Sequence, residues 1–278
     1  SALLMNPGDG MLMTDPGYPC NRHFLRLVEG QGQLVPVDAA SNYQLTAQLV
    51  GENWRDNTIG VMVASPANPT GTVLDAEQLA GLSRAVRKRK GFLVVDEIYH
   101  GLAYDTPTPS VLAIDPDAFV INSFSKYFGM TGWRLGWLVA PEEAVQEMEK
   151  LAQNLFISLS TMAQHAALAG FEASTREILD ERREIFRQRR DYLLPAVRGL
   201  GFEVPCAPQG AFYIYADAGR FTDDSQAFCL RLLEEHGIAL TPGVDFGHYR
   251  AQQHLRFSYT TGMDRLEVAV ERLASVVA

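Results

Sequence analysis

The chain is poor in lysine: among its 278 residues only Lys88, Lys90, Lys126 and Lys150 occur. It is poor in cysteine as well, with Cys20, Cys206 and Cys229 far apart and no CxxC pair. That set supplies neither a disulfide framework nor a zinc site, and it points to a reducing, cytoplasmic setting. No apolar run approaches the roughly 20 residues a membrane-spanning helix needs, and no signal peptide is visible. Basic charge is in deficit, with a formal net charge of −9. A polyanion demands a basic surface, so nucleic acid is excluded as the main partner. The six histidines show no metal-ligand spacing, and no metal is expected.

What remains is a globular composition, 47% hydrophobic and 21% charged, long enough for one large domain or a large and a small one. Short apolar runs alternate with amphipathic segments, which predicts repeated β-α units and a mostly parallel sheet flanked by helices. Strands are expected at 10–15, 32–38, 59–65, 91–96, 118–124 and 134–140. Several are apolar on consecutive positions, as in sheets covered on both faces. A helix is expected over 75–90, with Leu79, Leu82 and Val86 at helical spacing and Asp75 as N-cap. A second, over 174–197, carries Ile178, Ile185 and Leu193 as its apolar face. Beyond it, 201–217 reads as two strands, followed by a helix near 223–236 and a last one from Met263. This predicts a large domain over 1–188 and a small α+β domain over 189–278. The opening "SALLMNPGDG" reads as the tail of a helix, so a chain incomplete at its N-terminus is expected.

In open parallel sheets ligands bind beyond the carboxyl ends of the strands. Here those ends carry Tyr18 in "PGYP", Asn68 in "PANPTG", Asp96 and Tyr99 in "DEIYHG", and Ser123, Ser125 and Lys126 in "NSFSK". Each alone has a plain structural explanation: "NPTG" is turn chemistry, and an aspartate after a strand is often a cap. Together they match the needs of one ligand type. An aldehyde cofactor needs a partly desolvated lysine, a pyridine nitrogen needs a carboxylate, and a phosphate arm needs hydroxyls and a guanidinium.

"SPANPTG", "DEIYHGL", "SFSKYFGMTGWRLGWLVA" and "HLRFSY" occur in one order over nearly the whole chain, and together they resemble the class I/II (fold type I) aminotransferases. That resemblance implies a pyridoxal 5′-phosphate enzyme and a homodimer. By it, Lys126 looks like the lysine that forms a Schiff base with the cofactor and then moves the substrate's α-proton. Arginine could not replace it, since arginine keeps its proton. Asp96 resembles the partner of the ring nitrogen, Asn68 and Tyr99 the donors to the ring's phenolic oxygen, and Tyr18 the aromatic stacked on the ring. Ser123, Ser125 and Arg134 match phosphate-arm positions. Arg256, in "LRFSY", is similar to the arginine that grips the substrate α-carboxylate, with Asn68 beside it. The family's Gly/Ser/Thr-rich phosphate loop and N-terminal pocket segment have no counterpart in these residues. Dicarboxylate-specific relatives place a second arginine in the region of 153–167, where this chain has none, so a neutral or aromatic amino acid is favoured. A β-eliminating C–S lyase on the same scaffold and a non-catalytic cofactor-binding sensor domain or fragment stay open alternatives.

Overall fold

A computed structural model describes residues 1–277. Six strands form the main sheet: β1 (Gly10–Asp15), β2 (Gln31–Pro36), β3 (Thr58–Ala64), β4 (Phe92–Asp96), β5 (Phe119–Ser123) and β6 (Gly136–Val139). Their spatial order is β2-β1-β3-β4-β5-β6, all parallel except β6, which runs against β5. The mostly parallel α/β architecture expected from the alternating pattern is therefore present. Helices α1 (Pro19–Arg26), α2 (Ala47–Asn53) and α3 (Ala76–Arg87) connect the first four strands. The strand order reverses between β1 and β3, and that reversal opens a crevice at their carboxyl ends.

Local chemistry explains the connectors. Asp75 caps α3 by a reciprocal box: its carboxylate accepts from Gln78 N at 2.8 Å, and Gln78 Oε1 accepts from Asp75 N at 2.9 Å. Such a cap is worth about 1 kcal/mol. Leu79, Leu82 and Val86 of α3 are buried against Val61, Val63, Leu93 and Val95 of the sheet. The register sets Ala64, Asp96 and Ile121 side by side, so β3 and β4 end at one level and β5 runs two residues further, to Ser123.

Helices α4 (Glu142–Leu155) and α5 (Thr161–Leu168) lead into α6 (Ala173–Gly199), a helix of 27 residues that contains residue 188. Its buried residues are Leu179, Leu193 and Val197, whereas Ile178 and Ile185 are exposed. The expected apolar face was thus right at Leu193 and misplaced at the isoleucines. Ile178 lies about 100° round the helix from Leu179, enough to leave the packed face.

The second sheet is antiparallel, with β7 (Tyr213–Asp217), β8 (Thr241–Pro242) and β9 (His254–Ser258) in the order β7-β9-β8. Helices α7 (Ser225–His236) and α8 (Met263–Val277) pack on it around Ile214, Phe228, Leu232, Leu255, Phe257 and Leu266. The two strands expected over 201–217 reduce to β7 and two isolated bridges, Glu203 to Asp217 and Gly210 to Ala103. Pro205 and Pro208 lack the N–H groups a continuous ladder needs. Among the described residues no helix is long and apolar enough to cross a membrane.

Candidate active site

The four strand ends named above converge. Asp96 closes β4, and its Oδ1 accepts from Ile98 N at 3.0 Å, which turns the chain away from the sheet. Burial pushes the Asp96 carboxyl up to about 6, against the opposing pull of that backbone bond and of the Lys126 charge. Lys126 lies in the turn after β5, half-buried, with Nζ 5.6 Å from the centre of the Tyr99 ring and 5.7 Å from that of Phe212. Burial draws its amine below the usual lysine range, Asp96 pulls it back up, and Arg256 and Arg134 push it down. The acid and the amine are thus each drawn toward neutrality by burial and toward charge by the other.

Ser123 ends β5 and donates from Oγ to Ser125 Oγ at 2.9 Å, with Leu135 O also within 3.2 Å, while Ser125 N donates to Ser123 Oγ at 3.0 Å. The two hydroxyls therefore form a pair on the turn that carries Lys126. Arg134 is exposed, has a left-handed φ of 52°, and donates to Thr131 O at 2.9 Å. Tyr18 stands at the N-cap of α1. A hydrogen bond with Cys20, then burial, raises its phenol to about 12.

Arg256 enters from β9, where the register places it between Tyr215 and Thr241. Its Nη1 donates to Asn68 Oδ1 at 2.9 Å and its Nη2 to Thr241 Oγ1 at 3.2 Å. The guanidinium carbon lies 4.1 Å from the centre of the Tyr213 ring and 4.7 Å from that of Phe246. Its Nε is buried without a hydrogen-bond partner. Burial lowers the guanidinium's proton affinity. A buried, partnerless N–H is costly.

Lys126 lies over Tyr99, Asn68 is bonded to Arg256, and Ser123 and Ser125 share the turn of Lys126, and further residues join them. Tyr213 holds Tyr99, their hydroxyls 3.2 Å apart, and Phe212 lies edge-on to Tyr99 at 5.5 Å. The Tyr99 phenol is raised far above its usual value, chiefly by burial. Asp15, buried at the end of β1, accepts from His248 N at 3.0 Å and Tyr249 N at 3.2 Å, and Phe246 O accepts from Gly17 N at 2.9 Å. These bonds fasten the Tyr18 segment to the loop that carries Phe246. Only "GAFYIY" offered a sequence signal, since alternation sets Tyr213 and Tyr215 on one face. Thr241, Phe246 and Asp15 join through long-range contacts that no local pattern encodes.

The family model for aminotransferase class I and II matches residues 1–273. The chain belongs to that family. This aminotransferase is 38% identical over 271 residues to a valine–pyruvate aminotransferase of Mycobacterium tuberculosis, a match covering 96% of this chain and 69% of the relative. It is 33% identical over 273 residues to a (5-formylfuran-3-yl)methyl phosphate transaminase of Methanocaldococcus jannaschii, covering 97% and 69%. The crystal structure of an aminotransferase from Mycobacterium tuberculosis superposes with a TM-score of 0.96 at 36% identity, covering 99% of this chain and 71% of that one. Members of this family depend on pyridoxal phosphate, so this chain is a pyridoxal-phosphate-dependent aminotransferase.

The residues present fit that cofactor's chemistry. A lysine and a carboxylate lie close together and partly desolvated, a hydroxyl pair and an arginine flank the lysine, and a half-buried arginine stands on β9.

Proposed function

We propose that this chain moves an amino group between a neutral or aromatic α-amino acid and a 2-oxo acid, with pyridoxal 5′-phosphate held by Tyr18, Asn68, Asp96, Tyr99, Ser123, Ser125, Lys126 and Arg134. When bound, the cofactor supplies an aldehyde that takes the amino group and a ring that draws electrons from the substrate's α-carbon. The observation that carries the reading is geometric: Lys126 Nζ lies 5.6 Å from the centre of the Tyr99 ring, just beyond Asp96 at the end of β4, and Arg256 bonds Asn68 at 2.9 Å.

The chain's own residues then divide the work. Asp96, ionised above about pH 6, offers a fixed negative charge to a ring nitrogen. Lys126 anchors the cofactor through Nζ. Once released, it accepts a proton at Nζ and gives it back, a task that its lowered basicity suits. Asn68 spends its Oδ1 on Arg256, which leaves its amide N–H groups as donors beside Tyr99 for a phenolic oxygen. Ser123, Ser125 and Arg134 supply hydroxyls and a positive charge for a phosphate. Arg256 retains donor capacity, Nε included, for the substrate carboxylate. Around it stand Tyr213 and Phe246, and 153–167 contains no arginine, which supports a neutral or aromatic side chain over a second carboxylate.

A homodimer, a cytoplasmic setting and the division into domains at 1–188 and 189–278 belong to the same proposal. The dimer is supported by the exposed apolar run through Phe156, Ile157, Met162 and Leu168. The setting is supported by three unpaired cysteines. The domain division is supported by the two separate sheets.

The test is a visible spectrum of the protein with pyridoxal phosphate added. A band that Lys126→Ala abolishes is the expected result, and no band with the unaltered chain sinks the claim that these residues hold the cofactor. Release of a 2-oxo acid from phenylalanine or valine, without ammonia, then establishes transamination. Pyruvate plus ammonia from a β-substituted amino acid would instead establish elimination. Sedimentation velocity at two concentrations tests the dimer.

A further inference from the structure

Tyr213 touches two groups from different parts of the fold, Arg256 on β9 and Tyr99 in the turn after β4. Its ring covers the Arg256 guanidinium at 4.1 Å, and its hydroxyl lies 3.2 Å from that of Tyr99. It is buried, and β7 holds it rigidly beside β9, with Tyr213 paired to Ser258 and Tyr215 to Arg256. Its ring also packs edge-on against Tyr99 at 6.0 Å. Either hydroxyl of the pair can be the donor. When Tyr213 donates, the Tyr99 proton is free to point into the crevice. When Tyr213 accepts, that proton is committed and the Tyr99 oxygen faces the crevice as an acceptor.

From this we infer that Tyr213 is a positioning residue with two separable roles: its hydroxyl orients the Tyr99 proton, and its ring holds the Arg256 guanidinium flat for a carboxylate. The inference rests on the proposed function, because it takes Tyr99 as a donor to the cofactor and Arg256 as the carboxylate grip. The charged and titratable groups facing the tyrosine pair are Asp96, Lys126, Arg256 and Tyr18. None of them is a hydrogen-bond partner of either hydroxyl, so the orientation of the Tyr99 proton falls to Tyr213.

The two roles predict different responses from two variants. Tyr213→Phe removes the hydroxyl and keeps the ring over Arg256, whereas Tyr213→Leu removes both. The first measurement is the midpoint pH of the visible band of the protein loaded with pyridoxal phosphate. Tyr213→Phe is expected to move it by ~0.5 or more, the scale of losing one neutral hydrogen bond. In a Tyr99→Phe background the same change is expected to move it no further, because Tyr213 acts through Tyr99. The second measurement is calorimetric binding of 3-phenylpropionate to the protein without cofactor. Tyr213→Leu is expected to weaken it roughly 3- to 30-fold, the range of a cation–π contact, and Tyr213→Phe by less than about twofold. A band that forms but keeps its midpoint in Tyr213→Phe overturns the inference and leaves the cofactor site standing. So does a shift that persists undiminished in the Tyr99→Phe background, or equal 3-phenylpropionate binding by Tyr213→Leu and the unaltered chain. Absence of any band in the unaltered chain brings down the cofactor site and the inference together.

Discussion

Asn68 and Arg256 stand 188 residues apart in the chain and meet at 2.9 Å, amide oxygen to guanidinium. This bond joins the end of the parallel sheet to the small antiparallel one, and it orients both partners at once. Asn68→Ala removes the acceptor from a buried guanidinium. A hydrogen bond to a charged group contributes about 1.5–3 kcal/mol, so kcat/KM is expected to fall roughly 10- to 100-fold. Much of the fall should appear in KM for both amino acid and 2-oxo acid, since both bring a carboxylate to Arg256. Steady-state kinetics with each substrate varied checks this, and an unchanged KM for either would count against the shared role.

Arg256→Lys keeps the charge and loses the planar fork. It forfeits the simultaneous bonds to Asn68 and Thr241 and the stacking on Tyr213 and Phe246. The expected cost is on the order of 100-fold in kcat/KM, so the exchange should behave as a drastic one. Equal kinetics for the lysine variant would show that charge alone suffices.

Asp96 carries a burial penalty that the protein without cofactor cannot escape. Its folded-state value of about 6 stands above an unfolded value of 3.8. A raised value means that its contribution is most favourable below pH 4 and is lost as pH rises through 6. The loss is about 3 kcal/mol on an order-of-magnitude basis. Asp96→Asn is therefore expected to flatten this part of the stability curve and to stabilise the cofactor-free protein at pH 7–8, while turnover falls. Urea unfolding at pH 4, 6 and 8 reads it out, and a variant less stable at pH 8 would refute the assignment.

Asp15 fastens the Tyr18 segment to the 247–249 turn through the amides of His248 and Tyr249. Asp15→Ala strands those amides, at an expected cost of about 2–3 kcal/mol and a lower melting temperature. Gly247→Ala should be comparably harmful, because a Cβ there would stand 1.7 Å from Asp15 Oδ1. Thermal melts of both variants check the pair, and a neutral Gly247→Ala would remove the close contact from consideration.

The parts of this molecule that were legible in its sequence are those written in local patterns. Short apolar runs located all six strands of the main sheet, and Asp75 marked the start of α3. Because parallel strands end together, the residues after them could be gathered before any coordinates: Tyr18, Asn68, Asp96, Ser123 and Lys126. The illegible parts depend on distant partners. Nothing near Thr241 or Phe246 announces that either touches Arg256, and nothing in "DPGYP" says that Asp15 will seek the amides of residues 248 and 249. In α6, charged residues outnumber apolar ones, so a shift of one position decides whether Ile178 or Leu179 is buried, and local periodicity was too sparse to choose.

Helix α6 runs unbroken for 27 residues, which at 1.5 Å per residue makes a rod of about 40 Å. Phe186, near its middle, packs against the cluster of Tyr99 and Tyr213, and Leu193 and Val197 anchor its far end among the residues of the small sheet. A rod of that length converts angle into distance: a tilt of about 4° about one end carries the other by nearly 3 Å. Pro195, whose nitrogen cannot bond back along the helix, leaves one rung missing close to the anchored end. A substitution that stiffens or loosens that rung would be felt as leverage at the far end, well outside the reach of its own contacts.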